Sequence, residues 1–594
     1  MSHIETVRQH VSMDAATNIQ QWLDKPKYAE YKDELLDLIE QEKWQELEDS
    51  FFKVIEFGTA GRRGTTGVGS NRINKVTIGE SAQALCVYAA SVDETAPTKG
   101  VVIACDTRLT SPELSEYAAQ VCAANGFKTY LFENFRSTPE LSFAVRKLQA
   151  AVGIVISASH NPPLDNGFKA YWSDGGQISA PHDKGVLAVG ADIIEIHTVD
   201  FDEAIREDKI EIIGEEIDQA YIEAVVAEAE GNERNVKIVY SPLHGAGQTN
   251  TLPALRAAGF TSISTVDDQM VPDGNFPTID NGKPNPEEKI ANDRAVSQLL
   301  AEKADIAITN DPDADRIGVM VRQGDEVVYL TGNESAVLAT DYSLQKKQAN
   351  GTLTSRHYIA KTIVTTDMLQ ALASHYNVQI YDNMLIGFKY IAALLLSKES
   401  TDEIFVIGAE ESYGLLKGDY VRDKDGAVGA LPLAEYAAEL KQDGKTLYDR
   451  LLELYGKHGL YLERLDNAYF AGASGFQTMQ AVMSELRHSP PASLGDHKIT
   501  AVLDYQSLER HDLVSGDSVP IDCIKGNVMV FEFDNDTRRR ITIRPSGTEP
   551  KLKFYVQWFE EVKTRNLQAI ETQRNILSEH LASMAKLLEG VVLT

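Results

Sequence analysis

From about residue 99 onward, short apolar runs alternate with stretches whose apolar positions recur at helical spacing. KGVVIACD (99–106), SPELSEYAAQVCAANG (111–126), KTYLFE (128–133), TPELSFAVRKLQ (138–149) and AAVGIVIS (150–157) read as strand, helix, strand, helix, strand. Short connections between them predict an α/β domain with neighbouring parallel strands. The alternation restarts at VKIVYSPLHGAG (236–247) and continues through NTLPALRAAGF, TSISTVD and ADIAITND. It restarts again at HYIAKTIV (357–364), followed by TTDMLQALASHY, VQIYD, GFKYIAALLL and EIFVIGAEES. Three units of one logic are expected, with weak residue-level repetition.

The two ends differ. Residues 15–50 carry apolar Ile19, Trp22, Leu35, Leu36, Ile39 and Trp44 among many charges, which predicts an amphipathic helical stretch. Near the C-terminus, VMVFEF, the turn DNDT, RRRITIRP and KLKFYVQWF predict paired antiparallel strands, followed by a helix from about Thr564 to Leu588. The pattern divides the chain into 1–217, 218–335, 336–462 and 463–594.

Length agrees with that division, since 594 residues exceed what one core supports. A net charge of −31 opposes binding to nucleic acid or an acidic lipid surface. An anionic ligand would therefore need its cations gathered in one cleft. Cys86, Cys105, Cys122 and Cys523 are scattered, without metal-like spacing, and read as small core residues. The N-terminal segment lacks the layout of an export signal, and no apolar run approaches a membrane span, so a cytoplasmic location is expected.

Four stretches fall where strands should end, the usual ligand edge of an open α/β sheet. In ISASHNPPLDNGFKAY (156–171) the proline stops the ladder and leaves Ser159 on an expected exposed tip, with Lys169 on the next segment. The glycines of a hydrolase nucleophile elbow are absent. In Asp311-Pro-Asp-Ala-Asp-Arg316 three alternate carboxylates repel unless a hard divalent cation such as Mg²⁺ holds them. An EF-hand is excluded, because its sixth and twelfth positions are Arg316 and Arg322. Arg544-Pro-Ser-Gly-Thr-Glu-Pro550 combines a guanidinium fork, the hydroxyls of Ser546 and Thr548, and the flexible Gly547. Phe57-Gly-Thr-Ala-Gly-Arg-Arg-Gly64 is a basic glycine loop that matches neither a Walker motif nor a dinucleotide turn. Together these supply a nucleophile, a cation site and a phosphate clamp, the parts of a phosphoryl-transfer centre without a nucleotide loop.

On these residues the chain resembles the α-D-phosphohexomutase family of phosphoglucomutases and phosphomannomutases. The matches are ASHNP (158–162), DPDADR (311–316), EESYG (410–414) and RPSGTEPK (544–551). FGTAGRRG, STPELSFAV, YSPLHGAG, DGNFPT with KPNPEE, GFKYI and VRDKDG support them in family order. The length and the GFK and DKDG matches are most similar to the longer bacterial phosphoglucomutase branch, which is related to phosphopentomutase-like enzymes. The resemblance implies an α/β fold of four domains around a central cleft: three related α/β domains with mixed sheets and a C-terminal antiparallel α+β domain.

It also implies roles by position. Ser159 would carry the phosphoryl group and, with Asp311, Asp313 and Asp315, complete the shell of one Mg²⁺ per chain. His160 and Lys169 would border the reacting oxygens, Lys169 as the better proton carrier if burial among cations lowers its pKa. Arg63 would steady the phosphoryl group in flight. Lys389, Glu410 and Ser412 would read the sugar, and Arg544, Ser546, Gly547 and Thr548 would hold its non-reacting phosphate.

The activity implied is interconversion of glucose 1-phosphate and glucose 6-phosphate, with glucose 1,6-bisphosphate as intermediate and activator and a sugar phosphate as the only partner of a monomer or weak dimer. Phosphomannomutase and phosphopentomutase activities share the mechanism. A phosphatase would instead lose the phosphoserine to water, and a sugar-phosphate sensor would need no nucleophile. Four positions depart from the family pattern: Ser157 for threonine, Arg62 for leucine, Ile386 for threonine and Ala409 for glycine. Ile386 and Ala409 border the sugar-reading residues and so bear on specificity.

Overall fold

The computed structural model describes residues 3–56, 61–470, 475–546 and 550–593. The first sheet has six strands. Val101–Cys105 and Val152–Ile156 form its parallel centre, each buried along its full length, with Thr129–Phe132 and Ile210–Ile213 continuing it in parallel. Parallel strands covered on both faces need continuous apolar runs, which is what VVIAC and VGIVI are. On the other side, Asp165–Trp172 and then Gly61–Thr65 join antiparallel. Gly167 sits between both neighbours, where a Cβ would lie 2.7 Å from the Ser157 carbonyl oxygen and 2.8 Å from that of Arg62.

The second and third sheets repeat this plan. In the second, Ile238–Ser241 pairs in parallel with Ile263–Thr265 and Ile306–Asn310, and Ile317–Gln323 returns antiparallel to Ile306–Asn310. In the third, His357–Thr362 pairs in parallel with Gln379–Met384 and Ile404–Ala409, and Leu415–Lys417 returns antiparallel. In each unit the parallel strand beside the antiparallel edge ends in a reversal. The reversals are the Ser159 loop, the Asp311–Arg316 loop and the Glu410–Gly414 loop. Each holds a non-glycine residue in left-handed conformation: Ser159 (φ 50°), Ala314 (φ 52°) and Tyr413 (φ 65°). Such a backbone costs about 1–2 kcal/mol per residue and persists only where surrounding contacts enforce it.

The C-terminal unit is antiparallel throughout, with Leu460–Tyr469, Lys551–Glu560, Asp536–Pro545, Met529–Phe533 and His497–Asp504 adjacent in that order. Helix Leu567–Leu593 follows it. The N-terminal stretch departs from the single helical pattern expected over 15–50. It breaks into helices Met13–Asp24, Lys32–Glu40 and Trp44–Phe51, with a 3₁₀ turn at Pro26–Tyr31. Pro26 lacks the N–H that a continuing helix needs. Trp22 stacks on Tyr28 with ring centroids 4.5 Å apart, and this small core closes against Val68 and Val76 of the first unit. Cys86, Cys105 and Cys122 are buried and Cys523 partly so, all unpaired, as expected.

Candidate active site

The reversals of the first two units meet. The Ser159 hydroxyl donates to Oδ2 of Asp311 at 2.6 Å, and Nδ1 of His160 lies 3.1 Å from the Ser159 Oγ. Ser159 is 4% exposed, so the exposed tip expected from sequence is corrected: the second unit packs over it. Its backbone N–H donates to the Ser157 hydroxyl at 2.8 Å, a contact that serine supplies as well as threonine.

Asp311, Asp313 and Asp315 are buried, each with a carboxylate oxygen within 4.8 Å of the others'. Oδ1 of Asp313 and Oδ1 of Asp315 are buried without a hydrogen-bond partner. Unpartnered anionic oxygens in a dry, all-oxygen group fit a hard divalent cation. Burial first, and then the charges of Asp315 and Asp313, push the Asp311 carboxyl well above the usual range. Burial also acts on Asp313, but Lys169 overcomes it and holds that carboxyl below the usual range.

Lys169 pairs with Oδ2 of Asp313 and lies 3.8 Å from Asp315. Burial alone would lower its pKa, yet these two carboxylates outweigh burial and raise it. The lowered lysine pKa expected from sequence is therefore corrected, because its nearest charges are anions. Arg63 reaches the Ala158 carbonyl from the edge strand; burial, and then the charges of Arg108 and Arg316, bring its pKa down to about 10. Burial with Arg316 and Arg63 keeps His160 well below its usual pKa, so its imidazole is neutral.

The third reversal brings Glu410, which is 5% exposed. Burial raises its pKa, with the Lys424 and Arg316 charges opposing. Ser412 lies in the same half-buried turn. A second cationic group gathers around Arg544. Burial and the nearby Arg544 charge lower Lys389, at the start of helix Phe388–Lys398, and burial with Arg544 and Lys551 lowers Lys553. Arg544 and Lys553 are cross-strand partners, and the Ser546 N–H donates to the Lys551 carbonyl at 2.9 Å. Gly547 and Thr548 lie outside the described residues, as does the glycine loop over 57–60.

Four residues to which the sequence assigns no role belong to this site. Arg108 is 1% exposed and donates to the carbonyls of Ser159 (2.6 Å), Asn161 (2.5 Å), Pro162 (2.7 Å) and Asp165 (2.8 Å), while Nε lies 3.2 Å from Asp106. Thr138 donates its hydroxyl to Asp313 at 2.7 Å and its N–H to the Asp313 carbonyl at 2.9 Å. Lys424 pairs with Asp315 at 2.9 Å, and Arg316 pairs with Glu287 at 2.8 Å. Lys424 lies within VRDKDG and Arg108 just after KGVVIACD, so the signal was a charged residue directly following a buried run or inside a glycine-ended loop.

Family models account for most of the chain. The phosphoglucomutase/phosphomannomutase alpha/beta/alpha domain I matches residues 54–195, domain II matches 219–324 and domain III matches 331–457. A phosphoglucomutase of Staphylococcus haemolyticus (strain JCSC1435) is 33% identical over 560 residues, covering 91% of this chain and 97% of the relative. One from Staphylococcus aureus (strain N315) is 35% identical over 535 residues, covering 87% and 92%. The chain belongs to the phosphoglucomutase/phosphomannomutase family. In fold it is similar to a family member from Burkholderia thailandensis (TM-score 0.62, 18% identity, 87% of this chain and 96% of that one). It is equally similar to parafusin, a phosphoglucomutase from Paramecium, in its open form (TM-score 0.62, 17% identity, 90% and 98%). No described helix is long and apolar enough to cross a membrane.

Proposed function

We propose that this protein is a phosphoglucomutase that interconverts glucose 1-phosphate and glucose 6-phosphate through a phosphoserine at Ser159 and a bisphosphorylated sugar. The observation that carries this reading is the Ser159 hydroxyl held 2.6 Å from Asp311 within a buried trio of carboxylates and beside Lys169. Asp311, Asp313 and Asp315, with a phosphate oxygen on Ser159, would hold Mg²⁺. The ion, when bound, would draw electron density from the phosphoryl oxygens and ease P–O cleavage.

The residues do the rest. The O–P bond to Ser159 breaks as a bond forms to the entering sugar oxygen, whose proton is lost as the Ser159 Oγ, with His160 beside it, gains one. Lys169, held as an ammonium, and Arg63 offset the charge spread over the equatorial oxygens. Arg544 and Ser546, with Gly547 and Thr548, hold the other phosphate, while Lys389, Glu410 and Ser412 orient the sugar. After the intermediate turns over, the phosphate first held at that end returns to Ser159. Enclosure of the serine limits loss of the phosphoryl group to water.

Relatives named phosphoglucomutase support glucose as the sugar. A kinetic panel of glucose, mannose and ribose 1-phosphates tests it. Glucose 1-phosphate should have the highest kcat/KM without release of free phosphate; a large excess on ribose 1-phosphate, or stoichiometric phosphate release, would overturn the assignment.

A further inference from the structure

The strand Asp536–Pro545 carries Arg544 one residue before its end, and period-two geometry puts Arg540 and Arg544 on one face of it. Arg540 is tied to the third unit by both of its terminal nitrogens. Its two terminal nitrogens donate to Asp367 at 2.5 and 2.7 Å, and they also reach the carbonyls of Thr537 (2.9 Å) and Ile363 (3.2 Å). Nε donates to Gln557 at 3.1 Å.

Asp367 is 4% exposed and takes a third bond from Lys361 at 2.9 Å. The same knot reaches the sugar-reading loop. Lys361 and the Gln557 amide both donate to the Thr365 carbonyl, at 2.9 and 3.1 Å, and the Thr365 hydroxyl donates at 3.3 Å to the carbonyl of Ala409, which precedes Glu410. Between the knot and Arg544 lies a small apolar joint, with Ile363, Val364 and Leu385 of the third unit packed with Val530 and Tyr555 of the fourth.

We propose that Arg540 is a positioning residue for the substrate's non-reacting phosphate. This rests on the mutase reading above. Its bidentate bond to Asp367 sets the strand carrying Arg544, and its partner Lys553, in register with the third unit's Glu410 loop. The clamp and the sugar-reading carboxylate are thereby held at one separation, which the substrate must span. A guanidinium fork fixes orientation as well as distance, which an ammonium cannot do. Because Lys361 still neutralises Asp367 when Arg540 is replaced, loss of Arg540 loosens this register without leaving a bare buried anion.

Steady-state kinetics and calorimetry of Arg540→Gln, Arg540→Lys and Arg544→Gln test this on the full-length enzyme. Arg540→Gln should raise KM for glucose 1-phosphate about 10-fold or more with kcat within about 3-fold, as expected for loss of charge-assisted bonds that act on binding. Arg540→Lys should fall between, and in both variants saturating glucose 1,6-bisphosphate should still phosphorylate Ser159 to the wild-type extent, since neither change touches the serine. With Arg544→Gln already present, adding Arg540→Gln should weaken glucose 6-phosphate binding by less than 2-fold, because the two act through one contact. An unchanged KM in either Arg540 variant, a loss confined to kcat, or additive losses in binding would overturn the proposal. A wild-type enzyme inactive on glucose phosphates would refute the mutase reading instead.

Discussion

Ser159 and Asp311 are 152 residues apart in sequence, yet the serine hydroxyl donates to the aspartate at 2.6 Å. The bond joins equivalent reversals of two repeated units, so one topological device, a parallel strand turning back antiparallel, supplies both nucleophile and carboxylates. The third repeat places Glu410 in the same way.

With the carboxylate trio as the cation site, activity should depend on a divalent cation. Chelation should abolish turnover and Mg²⁺ should restore it, while Asp313→Asn should lower kcat at least about 100-fold. Because the ion binds the folded chain alone, Mg²⁺ at 100 times its Kd should add about 2.7 kcal/mol of stability, visible as a rise in Tm. A Tm indifferent to Mg²⁺ would contradict the site.

Arg108 holds four carbonyls of the serine loop with a single fork. An ammonium has three donors and no planar geometry. Arg108→Lys should therefore reduce kcat more than 10-fold, or about 1.4 kcal/mol or more of barrier, through misplacement of Ser159. Wild-type kcat in a folded Arg108→Lys enzyme would show that the loop keeps its shape without the fork.

Lys424 stands between Asp315 at 2.9 Å and Asp423 at 3.5 Å, and it is buried with them. Lys424→Met leaves two buried carboxylates with less compensation and should cost about 3–5 kcal/mol in urea unfolding without metal. Mg²⁺ should recover more stability in this variant than in wild type, since it replaces a lost positive charge. Equal Mg²⁺ effects in the two proteins would count against that link.

Much of this was legible in the sequence, for a physical reason. Buried parallel strands require mainly apolar runs, so VVIAC, VGIVI and IAITN announce both the strands and the loops that end them. The chemistry sits immediately after, at Ser159 and Asp311. Contacts between units were not legible. No local pattern says that Thr138 will meet Asp313 across 175 residues, or that Arg540 will meet Asp367 across 173. The raised pKa of Lys169 was missed for the same reason: its sequence neighbours give no hint of the Asp313 carboxylate that outweighs burial.

His458, at the end of helix Leu447–His458, has its pKa brought down to about 4 by burial and by the charges of Lys457 and His375. Between its ordinary 6.5 and about 4 the unfolded chain binds a proton that the folded one refuses, so stability should fall as pH drops through that window. The contribution is about 1–3 kcal/mol. Urea unfolding of wild type and His458→Gln at pH 7 and pH 4.5 measures it. The variant should lose less stability on acidification, and identical losses would exclude His458 as a source.

The central claim is that Ser159 stores the phosphoryl group. Intact-mass and peptide analysis after incubation with glucose 1,6-bisphosphate and Mg²⁺ tests it most directly. One phosphoryl group is expected on Ser159, none on Ser159→Ala, and loss of turnover in that variant with glucose 6-phosphate binding retained. A phosphoryl group on another residue, or a Ser159→Ala enzyme that still turns over, would contradict it.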